Sequence, residues 1–411
     1  MEQKRPITIG IDASRAFVKD PAGPEYYSWH LIKNLAEIDH KNRYVLYLRP
    51  KQRPNFSLPQ NFKVKIIYPT RFWTQLGLAW ETIIDPPDIL FIPAHTLPLI
   101  TRAVFGIGAK VKLLPQLPIL VTIHGLEGKF LPQSGNFLSH IHRNWSISWS
   151  VRFANHLIAV SNDTLKEVLN TYNIHRNSIE VVHEGVEFEK YHNAPLNRKQ
   201  LNNKYHIGEN YILFVGTLQP RKNLIRLIKA FAVYFNESRK NQSLNLTKNL
   251  NGSRAIYDSK NNRKNLKLVI AGKRGWLYDE ILKAPKKFNI INSVIFTGRI
   301  DNNDLPGLYK GAQAFILPSL TEGFGLPVLE AQAAGVPVVC SDKGALREVA
   351  DNAAIFINPL KTSEITRAIK RVLEDKTLVS ILVDKGLKNA KTKSWTRTAH
   401  NTLKIIERIV I

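Results

Sequence analysis

A single cysteine, Cys340, stands in 411 residues. It cannot support a disulfide framework, and its place inside an apolar strand suits a protein of a reducing compartment, read here as cytoplasmic. Long apolar runs are missing as well. The start, MEQKRPITIGIDAS, holds no segment of signal-peptide character, and the most apolar regions, near Ile89 to Gly108 and Leu113 to His124, are broken by Pro, His, Arg and Gln. Neither reads as a membrane span. Acidic residues are scarce: 33 Asp and Glu face 58 Lys and Arg, a formal charge of +25. Such a balance suits nucleic acid, anionic lipid or phosphorylated substrates. No basic recognition helix and no paired metal-binding cysteines accompany it, so nucleic acid is not an expected partner.

Part of the charge is local. Asn236 to Asn265 holds seven basic against two acidic residues, a net of +5, together with eight Asn, and is expected to be a flexible insertion. The remaining +20 is spread through both halves; it suits anionic phospholipid and diphosphate-linked acceptors, or reflects only a basic lineage. With 44% hydrophobic residues and seven Trp, the chain has ample material for packed cores, and its length suits two α/β domains.

The apolar pattern alternates. Ile7 to Ile11, Tyr44 to Leu48, Val64 to Ile67, Ile89 to Ile92, Ile119 to Ile123, Leu157 to Val160 and Ile179 to Val182 read as strands. Tyr27, Leu31, Leu35 and Ile38 mark a helix between the first two, and Asp163 to Tyr172 a helix after Ser161. The stretch Glu187 to Gly208 turns polar and is expected to be a linker. The pattern then restarts at Tyr211, followed by a helix with Leu224, Leu227, Ile228 and Phe231 on one stripe, and by strands at Leu266 to Ala271, Val294 to Phe296 and Ala312 to Leu317. Two doubly wound sheets are implied. The boundaries read as residues 1–190, 191–394 with the insertion at 236–265, and a final helix at 395–411.

The most informative string is Pro318 to Glu348, PSLTEGFGLPVLEAQAAGVPVVCSDKGALRE. A buried strand runs into a Gly-rich turn, Pro327 opens a helix that Gly335 can close, and Val336 to Cys340 forms the next strand. Two strands joined through a helix run parallel, so the turn Thr321 to Gly325 lies at a strand's carboxyl end and a helix's amino end, where α/β sheets bind ligands. Gly323 and Gly325 let backbone donors approach phosphate or sugar oxygens closely. Glu322 and Glu330 flank that surface, and a carboxylate accepts from paired sugar hydroxyls. Taken alone, either glutamate also reads as a complement to the helix dipole.

This string resembles the donor-site signature of retaining GT-B glycosyltransferases of family 4, with two glutamates eight apart around a Gly-aromatic-Gly turn. The resemblance implies two Rossmann-like domains facing across a cleft, and a last helix crossing back onto the first domain. It implies that Glu330 takes the ribose hydroxyls of a nucleotide sugar and that Glu322 lies near the transferred sugar. The amides of Gly323, Phe324, Gly325 and Leu326 would hold sugar hydroxyls and diphosphate. In TLQPRKN, Arg221 and Lys222 match the diphosphate ligands; in isolation they would be a basic pair on a solvated turn. In FTGRI, Gly298, Arg299 and Ile300 match a segment whose backbone contacts the base, which leaves GDP and UDP unresolved.

In the first half, Gly23 fits the place of a glycine that approaches the diphosphate, although Pro21 and Pro24 crowd it and it also reads as an ordinary loop residue. His124 ends the strand ILVTIH and resembles a histidine that contacts the transferred sugar, here followed by Gly125 where relatives have Asp. A histidine at a strand end is also a common structural element. His95, in FIPAHTLPL, resembles a residue of the acceptor side. Ser161, Glu184 and Gly185 match further strand-end positions of architectural character. RFWTQLGLAWE, PAHTLPL and VTIHGLE look most like mannosyltransferases of surface-polysaccharide assembly.

The reading is therefore a hexosyltransferase using a nucleotide sugar, GDP-mannose favoured, on a glycan or lipid-linked acceptor. No carboxylate pair for double displacement is assignable, and the resemblance implies front-face attack. No Asp-X-Asp element is evident near the inferred donor site, so no metal or other cofactor is expected. Attachment to the inner face of a membrane through Phe137 to Phe153, FLSHIHRNWSISWSVRF, stands beside a core-packed reading of the same helix. Two other function classes are carried: a GT-B phosphorylase or sugar-nucleotide epimerase, and a non-catalytic basic binding protein.

Overall fold

The computed structural model describes residues 5–94, 97–98, 117–126, 137–249 and 265–410. The chain divides into two compact units, residues 1–185 with 394–411, and residues 186–393. Each is built on one parallel sheet.

The first unit carries β1 (Thr8–Asp12), β2 (Arg43–Leu48), β3 (Phe62–Ile66), β4 (Ile89–Ile92), β5 (Ile119–Ile123), β6 (His156–Ala159) and β7 (Ile179–Val181), in the order β3-β2-β1-β4-β5-β6-β7. The strands pair in parallel, for instance Ile9 opposite Tyr44 on one side and Ile89 on the other. β4 and β5 are buried along their whole length. That is the reason β4 reads as an unbroken apolar run and β5 as one interrupted by Thr122 alone: a parallel strand covered on both faces has little polar side to show. The strand order reverses at the β1/β4 boundary.

Helices complete the layers. Gly23–Ile38 buries Tyr27, Leu31, Ile32 and Leu35. Asn162–Thr171 starts where the Ser161 hydroxyl accepts from the Thr164 N–H at 3.0 Å, so Ser161 is an N-cap. The last helix, Trp395–Val410, packs in this unit: the Trp395 ring stacks on His30 at 4.8 Å and the Thr398 hydroxyl donates to the His183 carbonyl at 2.8 Å. Gly185 is required by that packing, since a Cβ there would sit 2.2 Å from the Trp395 nitrogen. Of Phe137–Phe153, Ile147 and Val151 are buried in the unit's core, with Trp149 and Phe153 packed against it, and Trp145 is exposed.

The second unit carries β8 (Tyr211–Val215), β9 (Lys267–Ala271), β10 (Val294–Gly298), β11 (Ala314–Leu317), β12 (Val338–Ser341) and β13 (Ala354–Ile357), in the order β10-β9-β8-β11-β12-β13, again parallel. Its order reverses at β8/β11. Cys340 is fully buried in β12, where burial pushes its thiol up.

Two expectations change. The polar stretch read as a linker holds two helices, Phe188–His192 and Arg198–Tyr205. Asparagine suits their ends: Asn197 accepts from the Gln200 N–H at 3.0 Å and Asn202 from the Gly208 N–H at 2.8 Å. The segment expected to be a flexible insertion from Asn236 is helical through Asn249, because it continues the helix Leu224–Asn249. Residues 250–264 lie outside the described residues. β13 and the helix Ala79–Ile84 escaped the sequence reading altogether.

Candidate active site

Two loops leave the carboxyl edge of the second sheet at its switch point, one after β8 and one after β11. Such a reversal splays the flanking helices apart and leaves a crevice at the strand ends. The first loop forms a short 3-10 turn, Pro220–Lys222, after which Asn223 adopts φ +59° and turns the chain into the next helix. The Asn223 amide holds this conformation by donating to the carbonyls of Pro318 at 3.0 Å and Pro359 at 2.7 Å. The second loop is tied to the first by the Leu320 N–H, which donates to the Arg221 carbonyl at 2.8 Å.

Glu322 is the hinge of the cluster. Its Oε2 accepts from Arg221 Nη1 at 2.8 Å, and its Oε1 accepts from Lys222 Nζ at 2.5 Å and from the Ser319 hydroxyl at 2.6 Å. Glu322 and Lys222 are both buried. Burial alone would raise the carboxyl, but the charges of Lys222 and Arg221 and the bonds from Lys222 and Ser319 outweigh it and hold it at about 2. The carboxylate cancels only one of two cations, so the cluster keeps a net positive charge beside a helix amino end.

That helix, Leu326–Ala333, is capped by Gly325 at φ +115° with Pro327 in its first turn. Only glycine fits position 325: a Cβ would lie 2.5 Å from a Leu346 methyl in addition to the strained φ. Gly344 is packed as tightly, with a Cβ meeting the Glu322 nitrogen and carbonyl oxygen at 2.9 Å. The Ala345 N–H then donates to that carbonyl at 3.2 Å. Gly323 and Phe324 are buried between.

Glu330 sits one turn into the helix and is buried. Its Oε1 accepts from the Tyr191 hydroxyl and its Oε2 from the Tyr309 hydroxyl, each at 2.8 Å. Burial raises its carboxyl above the ordinary range, the two hydroxyls opposing. Each oxygen keeps a further lone pair. At the end of β10, Gly298 has φ +69° with open space at its Cβ position, its carbonyl accepts from the Gly272 N–H at 2.8 Å, Arg299 is exposed and Ile300 buried.

The structure thus brings Arg221, Lys222 and Glu322 together. Sequence reading missed Ser319, Gly344, Tyr191 and Tyr309. Ser319 and Gly344 lie inside the Pro318 to Glu348 string and carried a signal; the two tyrosines come from elements that read only as apolar packing.

The remaining predicted residues belong to the first unit. His124 follows β5, its Nδ1 3.2 Å from Glu184 Oε1 and its Nε2 2.8 Å from the Pro93 carbonyl, with the Tyr27 ring edge-on at 4.7 Å. Glu184 thus orients the imidazole, in keeping with an architectural role. Gly23 opens the helix Gly23–Ile38 and nothing within 4 Å would oppose a Cβ, so no steric demand for glycine exists there. His95 lies outside the described residues.

Comparison with known proteins places both units. Residues 197–391 match the family model for glycosyl transferases group 1, and residues 21–190 that for glycosyltransferase family 4. An O-antigen chain mannosyltransferase B of Escherichia coli is 28% identical over 63% of this chain, and the chain spans 62% of that relative's length. The O-antigen chain mannosyltransferase RfbU of Salmonella typhimurium is 25% identical over 82% of this chain and 79% of its own. Among solved structures, sucrose-phosphate synthase from Thermosynechococcus elongatus superposes with a TM-score of 0.71 at 16% identity, covering 99% of each chain. Anabaena Alr3699/HepE in complex with UDP and glucose gives 0.66 at 16% identity, covering 98% of this chain and all of the other. The two family matches together take in most of the sequence, the architecture is GT-B, and the chain belongs to the group 1 glycosyltransferases of family 4.

Proposed function

We propose that this glycosyltransferase retains anomeric configuration and moves a hexose, mannose in the first place, from a nucleotide diphosphate sugar to a glycan or lipid-linked acceptor of surface-polysaccharide assembly. The observation that supports the donor assignment is the cluster of Arg221, Lys222 and Glu322 beside the amino end of Leu326–Ala333. Breaking the bond between the anomeric carbon and a phosphate oxygen leaves its electron pair on the diphosphate. Fixed cations and helix amides next to that charge lower the barrier because they need no reorganisation.

In this scheme the acceptor hydroxyl attacks the anomeric carbon on the face the diphosphate leaves, and its proton passes to the departing phosphate oxygen. Arg221 and Lys222 bind the diphosphate, sharing their hydrogen bonds between it and Glu322. The amides from Gly323 to Leu326 hold the sugar and phosphates. Glu330 accepts the ribose hydroxyls on the lone pairs its tyrosines leave, and the backbone of Gly298 to Ile300 meets the base. For His124 the role is contact with the transferred sugar, which requires Nε2 to exchange the Pro93 carbonyl for a sugar hydroxyl.

The mannosyltransferase relatives favour mannose as the sugar, GDP-mannose is the donor favoured from the sequence, and the UDP complex of HepE is the reason to include UDP sugars in the test. A thermal-shift panel of GDP-mannose, UDP-glucose and UDP-galactose reads donor choice directly, since a ligand at a hundred times its Kd adds about 2.7 kcal/mol of stability. Stabilisation by one donor, followed by NMR of a product with the donor's anomeric configuration, is expected. No shift with any nucleotide sugar, or an inverted product, overturns the assignment.

A further inference from the structure

The four most exposed large apolar side chains among the described residues lie in one short segment of the first unit: Phe72 at 72%, Tyr68 at 71%, Trp80 at 65% and Ile84 at 63%. Leu76, at 52%, completes the series. The spacing is four residues throughout. Leu76, Trp80 and Ile84 lie on a π-helical stretch, Trp73–Leu78, and the helix Ala79–Ile84 that follows it directly; Phe72 precedes the stretch at φ +52° and Tyr68 lies in the loop before it. The opposite side of the same segment is anchored: Trp73, Leu78, Ala79 and Thr82 are buried, and the Trp73 indole N–H donates to the Ile67 carbonyl at 3.2 Å. A helix with one apolar stripe in the core and a second facing water is not explained by folding. An exposed stripe of that size marks a surface with a partner.

Charge indicates which partner. From Lys41 to Trp80 the chain has no acidic residue, while Lys41, Arg43, Arg49, Lys51, Arg53, Lys63, Lys65 and Arg71 are all basic. The loops after β2 and β3 leave the same carboxyl edge of the sheet, and Arg49 lies over the Trp73 ring, 5.4 Å from its centroid. The first acids beyond, Glu81 and Asp85, are both paired with Lys65. An apolar stripe that includes Trp and Tyr, with cations near it, matches the layered chemistry of a bilayer surface: headgroup phosphates outside, acyl chains below.

We propose that Tyr68, Phe72, Leu76, Trp80 and Ile84 form the face by which this chain docks on an anionic phospholipid bilayer, its stripe entering the headgroup boundary and the surrounding Lys and Arg meeting lipid phosphates. The face lies outside Phe137–Phe153, of which Ile147 and Val151 are committed to the core and Trp145 is exposed. Docking is read without donor or acceptor, so its outcome is independent of the transfer reading.

The test is flotation of the full chain with vesicles of phosphatidylcholine alone and with 30% phosphatidylglycerol. Binding to the anionic vesicles is expected, with at least a tenfold loss in a Phe72→Ser, Trp80→Ser variant and a comparable loss in 0.5 M salt. The substituted side chains are exposed, so an unchanged circular-dichroism melt is expected and keeps the comparison clean; Leu76→Ser alone is the second variant. A Trp145→Ser variant is expected to float like the parent. Failure of the parent to float at low salt, flotation unaffected by both stripe variants, or loss only with Trp145→Ser overturns the proposal. So does a lipid-free dimer in sedimentation velocity that the stripe variants dissolve, which gives the face to a second copy.

Discussion

Tyr191 and Glu330 are 139 residues apart in sequence, and the Tyr191 hydroxyl donates to Glu330 Oε1 at 2.8 Å. The bond holds a buried carboxylate on the first turns of the helix Leu326–Ala333, with Tyr309 doing the same for its other oxygen. Burial raises the Glu330 carboxyl and the hydroxyls counter it. If the ionised form takes the ribose hydroxyls, donor binding is lost as pH falls through that raised value. Removing one hydroxyl moves the loss to higher pH. Tyr191→Phe is expected to shift the acid limb of donor affinity upward, measured by calorimetric titration across pH 4 to 8; an unmoved limb with unchanged affinity removes Tyr191 from the site. The same variant is expected to cost about 1–3 kcal/mol in urea unfolding, the usual consequence of one missing partner for a buried polar atom.

The Glu322 carboxyl is shifted the other way, and its pH dependence is one of stability. Its carboxyl is held at about 2 against an ordinary 4.5, so its stabilising contribution is complete above the ordinary value and fades as pH falls toward 2. Glu322→Ala leaves Lys222 and Arg221 without a counter-charge in a buried place. A loss of about 3–5 kcal/mol at pH 7 is expected, shrinking toward zero near pH 2. Urea unfolding of parent and variant at pH 7, 4 and 2.5 checks it, and a pH-independent difference would show that shape rather than charge is at stake.

How much of this was legible in the sequence follows from how far each signal reaches. Strands such as Ile119–Ile123 and Tyr211–Val215 announced themselves because both faces are covered and, Thr122 apart, their residues are apolar. The carboxyl-end turn Thr321 to Gly325 was readable for the same local reason, a strand, two glycines and a proline in order. The partners of its carboxylates were not. Tyr191 and Tyr309 look like ordinary core aromatics until the fold sets them against Glu330. Charge misled in the other direction: the Asn- and Lys-rich 193–203 read as a linker, but Leu201 is buried and Lys204 and the Tyr205 hydroxyl both bond Asp304, so a surface helix on the second unit was mistaken for a spacer.

Two glycines assigned to the donor site separate by a single substitution. Gly325 combines φ +115° with a Cβ position 2.5 Å from Leu346, so Gly325→Ala meets both backbone strain and a clash. Gly23 stands at the first position of a helix with nothing near its Cβ, so Gly23→Ala is expected to leave thermal stability unchanged or slightly raised, the alanine restricting the unfolded chain. A strongly destabilised Gly325→Ala beside a neutral Gly23→Ala is the expected result by differential scanning fluorimetry. If Gly23→Ala also abolishes donor binding while remaining folded, close approach by the ligand is the reason for that glycine, and its functional assignment stands on that measurement alone.

Arg221 and Lys222 bear on the metal question. A leaving diphosphate needs positive charge, and here two side chains already fixed by Glu322 at 2.8 and 2.5 Å supply it. Lys222→Ala is therefore expected to lower kcat about 10²–10³-fold, a loss of about 2.7–4 kcal/mol of transition-state stabilisation. The loss falls mainly on kcat, because the charge it meets is greatest as the bond breaks. Arg221 Nη1 donates both to Glu322 Oε2 and to the Thr321 carbonyl at 3.2 Å, so Arg221→Lys keeps the charge but loses the planar fork that offers further N–H donors to a phosphate, and is expected to be impaired despite its similarity. With the cations in place, transfer measured in excess EDTA is expected to match the untreated rate. Transfer abolished by the chelator and restored by added magnesium or manganese would mean that the two side chains are insufficient, and that a divalent ion shares the diphosphate with them.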